Sequence, residues 1–140
     1  MKFINQLKCS KLMIILYWCA RIGLGLSFII SGARKLPGIR FTSLGTDNPV
    51  GFFFEAMHST GFYWNFIGVF QILIGSLIFF NRFVVFCSLL MMPVVINIFL
   101  ISIALDMKGT PFITSAMLLG NVLMILWHFE NYKGIFMRPR

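Results

Sequence analysis

Acidic residues are scarce in this chain. Four of its 140 residues are Asp or Glu, and charged residues of all types make up 11% of the sequence, whereas 59% is hydrophobic. An ordinary soluble domain has roughly 45–50% apolar and about 25% charged residues. The shortage of charge excludes a soluble globular domain and predicts an integral membrane protein.

Cysteine is also sparse. Cys9, Cys19 and Cys87 form no C-x-x-C pair and lack the spacing of zinc ligands. A membrane oxidoreductase that works by disulfide exchange needs a vicinal pair, so the sequence disfavours that class. The sequence also contains no metal-ligand cluster, glycine-rich phosphate loop or nucleophile elbow. We therefore expect no metal site, and no motif assigns a catalytic residue.

Basic residues, by contrast, outnumber acidic ones, and the net charge is +8. In a soluble protein such an excess would favour binding to nucleic acid. Here the bases stand mainly between or outside the apolar stretches, where positive charge sets membrane topology and contacts anionic headgroups. We expect the lipid bilayer, and not nucleic acid, to be the partner of this charge.

Four apolar stretches are long enough to cross a hydrocarbon core of about 30 Å at about 1.5 Å per helical residue. They cover residues 12–33, 62–80, 83–105 and 111–129. They are continuous rather than alternating in polarity, which indicates helices rather than barrel strands. The sequence therefore predicts one all-α domain over residues 1–140, a membrane four-helix bundle. Asn81 and Arg82 alone separate the second and third stretches, which predicts a tight antiparallel hairpin.

A short helix is predicted between the first and second spans, over residues 49–60. Asn48 and Pro49 provide a cap and a first helical position, and Gly61 provides a stop. The segment is aromatic and too short to span, so we expect it to lie in the membrane interface.

The distribution of bases predicts the orientation of the bundle. Seven bases fall on the side of both termini and four on the opposite side, which places the termini in the cytoplasm of a bacterial inner membrane. The seven are Lys2, Lys8, Lys11, Arg82, Lys133, Arg138 and Arg140.

Polar side chains inside the spans are the candidate site. An ionisable residue at a helix centre costs about 2.5–3.5 kcal/mol even on mild scales, so it suggests a function. Counting along antiparallel spans predicts a polar layer near the membrane midplane, with Lys35 and Glu55 as candidate partners. The layer consists of Arg21, Gln71, Asn97 and Asn121. The alternative interpretation is that these groups only hold the helices together.

The same residues and their neighbours resemble the DoxX family of small four-span membrane proteins. The resemblance lies in ARIGLG at 20–25, SGARKL at 31–36, PVGFFFEA at 49–56, GFYW at 61–64, Gly68 with Gln71, Arg82, PVVINIF at 93–99 and Gly109 with Thr110. It covers nearly the whole chain. Asn81 stands where the family often has Pro, which affects only the turn.

The resemblance implies a redox-linked role. It suggests an accessory or quinone-interacting subunit of a membrane oxidoreductase, with a quinone as cofactor and electrons supplied by a partner protein. Two alternatives remain open: a non-enzymatic module that assembles with a partner or with a second copy, and a small-anion transporter that uses Arg21. A transporter is less favoured, because no duplicated half is visible.

Overall fold

The computed structural model describes residues 10–36 and 40–136, and in this part of the chain every regular element is a helix. The predicted all-helical fold is confirmed. The helices are α1 (Lys11–Ala33), α2 (Pro49–Ser59), α3 (Phe62–Leu77), α4 (Val84–Ala104), α5 (Thr110–Trp127) and α6 (Phe129–Phe136). Several residues named above lie outside the described ranges, namely Lys2, Lys8, Cys9, Arg138 and Arg140.

The protein is a membrane protein with several apolar helices. Three helices, α1, α4 and α5, are long and apolar enough to cross a bilayer. Helices α2 and α3 pass the same test as a pair, although they meet at an angle of 92°. Large apolar side chains point outward along these helices, as Phe62, Phe112 and Leu119 illustrate with exposed fractions of 80%, 82% and 70%. Such a surface is suited to lipid.

The short helix α2 begins as its sequence predicts. The side chain of Asn48 accepts a hydrogen bond from the amide of Val50 at 2.9 Å, and Pro49 occupies the first turn. The chain then turns sharply into α3 at Gly61, whose φ of 65° is a left-handed conformation that glycine adopts without steric cost. This turn places α2 across one end of α3.

Helices α1 and α3 pack with their backbones in contact. A Cβ on Gly32 would lie 2.6 Å from the carbonyl oxygen of Gly68, and a Cβ on Gly75 would lie 2.8 Å from that of Gly25. The two pairs run in opposite directions along the chain, so the helices are antiparallel. Glycine at all four positions permits the close approach that is typical of packed membrane helices.

Helix α5 closes the other side of the molecule. It packs extensively on α4 and also on α1, where Gly120 lies against Ala20. The buried core between the helices is apolar. It includes Leu24, Phe28, Ile74, Met91, Val95 and Met124.

The predicted tight hairpin between the second and third spans differs in the structure. Helix α3 ends at Leu77 and α4 begins at Val84, so six residues rather than two connect them. The longer link allows α4 to lean onto α5, and α3 and α4 touch only slightly. Their separation leaves a cavity between them, beneath α2.

Candidate functional site

The structure does not bring the four polar residues of the predicted layer into one hydrogen-bonded group. Arg21 contacts the link after α3, whereas Gln71, in the middle of α3, lies opposite Gly32 near the end of α1. Gln71 and Ile78, the residue that Arg21 contacts, are seven positions apart, which is about 10 Å along a helix. The binding role of each residue stays a prediction, and the geometry below shows what each can do.

Arg21 caps the end of α3. Its Nε donates to the carbonyl oxygen of Ile78 at 2.9 Å, one terminal nitrogen donates to that of Phe79 at 2.9 Å, and the other donates to Oδ1 of Asn81 at 2.7 Å. The last carbonyls of a helix lack partners within it and carry partial negative charge. The buried guanidinium satisfies them, so Arg21 acts here as a C-terminal cap.

Asn121 is buried in the middle of α5. Its side chain is fully inaccessible, and neither atom of its amide has a hydrogen-bond partner among the described residues. Asn121 follows Gly120, and Gly120 packs against Ala20, the residue before Arg21. Asn121 therefore lies nearer to the level of Arg21 than to that of Gln71. A buried amide without partners is costly, about 1–3 kcal/mol for each unsatisfied group.

The cavity between α3 and α4 brings together three of the predicted site residues, Lys35, Gln71 and Asn97. Its volume is about 370 Å³, and α2 and the segment before it cover one end. Aromatic side chains form much of its wall. They are Phe41, Phe53, Phe54, Tyr63, Trp64, Phe66 and Phe70.

Lys35 is the charged group of this cavity and is 6% exposed. Its ammonium donates to the carbonyl oxygen of Ser31 at 3.0 Å, to Oγ of Ser31 at 2.8 Å and to Oε1 of Gln71 at 2.9 Å. It also lies 5.6 Å from the ring centre of Phe41 and 5.3 Å from that of Trp64, within range for cation–π attraction. Lys35 stands two residues beyond the end of α1, and burial lowers the pKa of its ammonium to about 8.

Glu55, the other candidate partner of the polar layer, is engaged elsewhere. Glu55 of α2 forms an ion pair with Arg40. No carboxylate of the described residues forms an ion pair with Lys35, whose acceptors are all neutral. The Arg40–Glu55 pair and the stacking of Phe41 on Phe54, with ring centres 4.3 Å apart, fasten the preceding segment to α2. Together they form the cover of the cavity.

Trp64 is the site residue that the sequence did not reveal. Its place near the start of a predicted span is typical of an interfacial tryptophan. In the structure, however, Trp64 is 1% exposed and lines the cavity, and its indole N–H has no acceptor among the described residues. One signal was available: Trp64, Gly68 and Gln71 follow i, i+4, i+7 on α3 and therefore share the face that meets α1.

A family model described as DoxX matches residues 16–103, which is more than half of the chain. No curated protein and no solved structure matches the chain. The matched region holds Lys35, Trp64, Gln71 and Asn97, and thus the polar groups of the cavity described above, while Asn121 falls outside it. Because the family model matches most of its spanning helices, the chain belongs to the DoxX family.

Proposed function

We propose that this chain is a quinone-binding subunit of a membrane redox complex, and that the cavity between α3 and α4 receives the quinone head group. One observation carries the proposal: the buried indole N–H of Trp64, which has no acceptor among the described residues, stands with the amide of Gln71 in the wall of an aromatic cavity. A partner protein supplies the electrons.

Gln71 offers a donor whose direction is set by its neighbour. An ammonium group can only donate, so the amide of Gln71 must turn its oxygen toward Lys35. The NH₂ group of the same amide is then the end that faces away from Lys35. Its oxygen accepts from a cation, which polarises the amide and strengthens the N–H groups as donors.

Trp64 offers a second donor on the same helical face. A buried indole N–H normally finds an acceptor, and this one has none in the described part of the chain. A ligand that presents an acceptor to both groups would remove this cost. The carbonyl oxygens of a quinone are such acceptors, and its flat ring suits the aromatic walls.

The size and the position of the cavity also suit a lipid-soluble ligand. Binding pockets for small molecules have volumes of about 300–1,000 Å³ and are mostly apolar with a few polar groups. The cavity of about 370 Å³ lies at the small end of this range, sufficient for a head group but not for a long isoprenoid tail. The tail would extend between the splayed helices into lipid.

The proposal includes the membrane arrangement. Helices α2 and α3 together form the fourth crossing beside α1, α4 and α5, and the four crossings form a bundle. The excess of bases toward the two termini places them in the cytoplasm of a bacterial inner membrane. In this orientation the covered end of the cavity, at α2, faces the outer side.

The test is direct binding. The protein is purified, placed in nanodiscs of quinone-free lipid, and titrated with short-chain ubiquinone and menaquinone analogues, and the bound quinone is measured after extraction. We expect saturable binding that Trp64→Phe and Gln71→Met each weaken by about three- to tenfold, the effect of one neutral hydrogen bond. Trp18→Phe is the matched control, because Trp18 is 47% exposed and does not line the cavity.

The proposal fails if neither class of quinone binds saturably to the wild-type protein. It also fails if both cavity variants bind as tightly as the Trp18→Phe control. Thermal unfolding of each variant shows whether a loss of binding reflects a loss of structure.

A further inference from the structure

The cavity contains a buried positive charge, Lys35, that forms no ion pair with an acid in the described part of the chain. Three neutral oxygen atoms accept from the ammonium of Lys35, and Glu55 of α2 is paired with Arg40. The electron-rich faces of Phe41 and Trp64 attract the cation but carry no net charge. The site therefore keeps a net charge of +1 when Lys35 is protonated.

Such a charge acts strongly on anything bound beside it. Interactions between charges increase as the effective dielectric constant falls, and a cavity lined mostly by apolar side chains has a lower one than water. A neutral quinone gains little from this field. A quinone that has received one electron carries a negative charge, largely on its oxygen atoms. The attraction between this charge and the Lys35 ammonium stabilises it far more than the neutral quinone.

We infer that the Lys35 end of the cavity stabilises the anionic semiquinone, so that the site passes electrons one at a time. This inference rests on the proposed function. In the first step the quinone takes one electron from a one-electron carrier on the partner protein and becomes the semiquinone anion, with no bond broken and no proton taken up. A second electron and two protons from water then give the quinol, which leaves for the bilayer.

Lys35 acts in this step without touching the ligand. A lysine ammonium has three N–H groups, and each already has an acceptor of its own. Its influence passes through the charge itself and through Gln71, whose NH₂ group it directs and polarises. Lys35 is thus a positioning residue, and the groups that contact the reduced oxygen are Gln71 and Trp64.

The arrangement also predicts an asymmetric radical. The described donors and the cation stand at one end of the cavity, whereas Asn97 at the α4 side brings both a donor and an acceptor. One quinone oxygen therefore receives stronger hydrogen bonds than the other. Negative charge and spin density are displaced accordingly, and this displacement can be measured on the wild-type protein alone.

The experiment is a redox titration of the protein in nanodiscs loaded with a short-chain ubiquinone, at pH 7. Bound quinone is quantified in every sample, and the semiquinone is followed by electron paramagnetic resonance as the potential is lowered. We expect a stabilised radical in the wild type and in Lys35→Arg, which keeps the charge. In Lys35→Met we expect the semiquinone stability constant to fall by about tenfold or more.

Arg34→Met is the matched control, since Arg34 is the exposed neighbour of Lys35 and its loss removes an equal charge. It should leave the radical unchanged. Proton hyperfine couplings of the wild-type radical provide a second measurement that requires no variant, and we expect unequal hydrogen bonding at the two oxygens.

The outcomes separate the two proposals. If the wild type binds no quinone, the proposed function itself is overturned. If quinone binds but no radical is stabilised, the inference fails and the proposed function stands. Equal hyperfine couplings at the two oxygens, or a radical in Lys35→Met as stable as in the Arg34→Met control, overturn the inference in the same way.

Discussion

The carbonyl oxygen of Gly68 lies 2.6 Å from the place where a Cβ on Gly32 would stand. The contact is between backbones, so neither helix can move aside by rotating a side chain. It lies one turn from the Lys35–Gln71 hydrogen bond and fixes the distance across which that bond forms. The polar site thus depends on the small residues beside it.

The first prediction concerns this contact. Gly32→Ala should lower the stability of the protein by about 1–3 kcal/mol, because overpacking forces the backbones apart. Gly23→Ala is the matched control, since no atom lies within 4 Å of a Cβ there, and alanine in a helix is favoured over glycine by about 0.5–1 kcal/mol. Thermal unfolding in detergent compares the two. Equal unfolding midpoints for both variants would contradict the packing described for α1 and α3.

The second prediction concerns Arg21 as a cap. Arg21→Met should destabilise the protein by about 2–4 kcal/mol, because the carbonyls of Ile78 and Phe79 lose their charged donor. Arg34→Met, which removes an exposed charge from the end of the same helix, should change stability by less than about 0.5 kcal/mol. Denaturation in mixed micelles measures both. If Arg21→Met were as stable as the wild-type protein, these carbonyls would have other hydrogen-bond partners.

The third prediction concerns Asn121. Asn121→Leu should raise stability by about 1–2 kcal/mol, because it removes two buried polar groups without partners and keeps the same branched shape and number of heavy atoms. Asn65→Leu serves as the control, since Asn65 is exposed on α3. A loss of stability on replacing Asn121 would mean that its amide has a partner in the membrane, in agreement with the binding role predicted from the sequence.

The fourth prediction concerns pH. The pKa of Lys35 is about 8 in the folded protein, against about 10.4 in an unfolded chain. Between these values the unfolded chain holds a proton that the folded protein has released, so the stability contributed by this residue rises with pH across that window. Tyr63 is the other titratable side chain among the described residues that line the cavity, and it is retained in the reference variant.

The measurement for this prediction is the difference in unfolding temperature between the wild type and Lys35→Met. We expect this difference to shift in favour of the wild type from pH 7.5 to pH 10. Below pH 7.5 it should be flat, since Lys35 is protonated in both states. A difference that does not change with pH would show that the ammonium is not buried as described.

The sequence predicted the elements of the fold better than their arrangement. Apolar length and the cap at Asn48 and Pro49 are local properties, so the helices begin and end within three residues of the predicted limits. The separation of α3 from α4 depends on where α3 ends, and the carbonyl at this end accepts a hydrogen bond from Arg21, a residue 57 positions earlier. No local pattern contains that information.

In the candidate site, too, the sequence predicted individual residues better than their arrangement. The sequence named Lys35 as a candidate partner of the polar residues, and the structure joins it to Gln71 by a hydrogen bond of 2.9 Å. Counting depth from the ends of the spans placed Arg21 and Gln71 at one level, because it took the first and second spans to end at the same depth, whereas α3 ends beside Arg21. The role of Trp64 was hidden, because an interfacial tryptophan and a buried one look alike in sequence.

The shortness of α3 has a consequence for the surrounding lipid. Sixteen residues extend about 24 Å, whereas a typical hydrocarbon core measures about 30 Å. The last turn of α3 lies beside Arg21, whereas α1 continues from Arg21 back to Lys11, so the missing length lies on the side of the first residues of α1, away from α2. Lipid beside α3 must thin to match it, while lipid beside α1 need not. The protein should therefore deform its bilayer unevenly, and acyl-chain length becomes a variable that acts on this face alone.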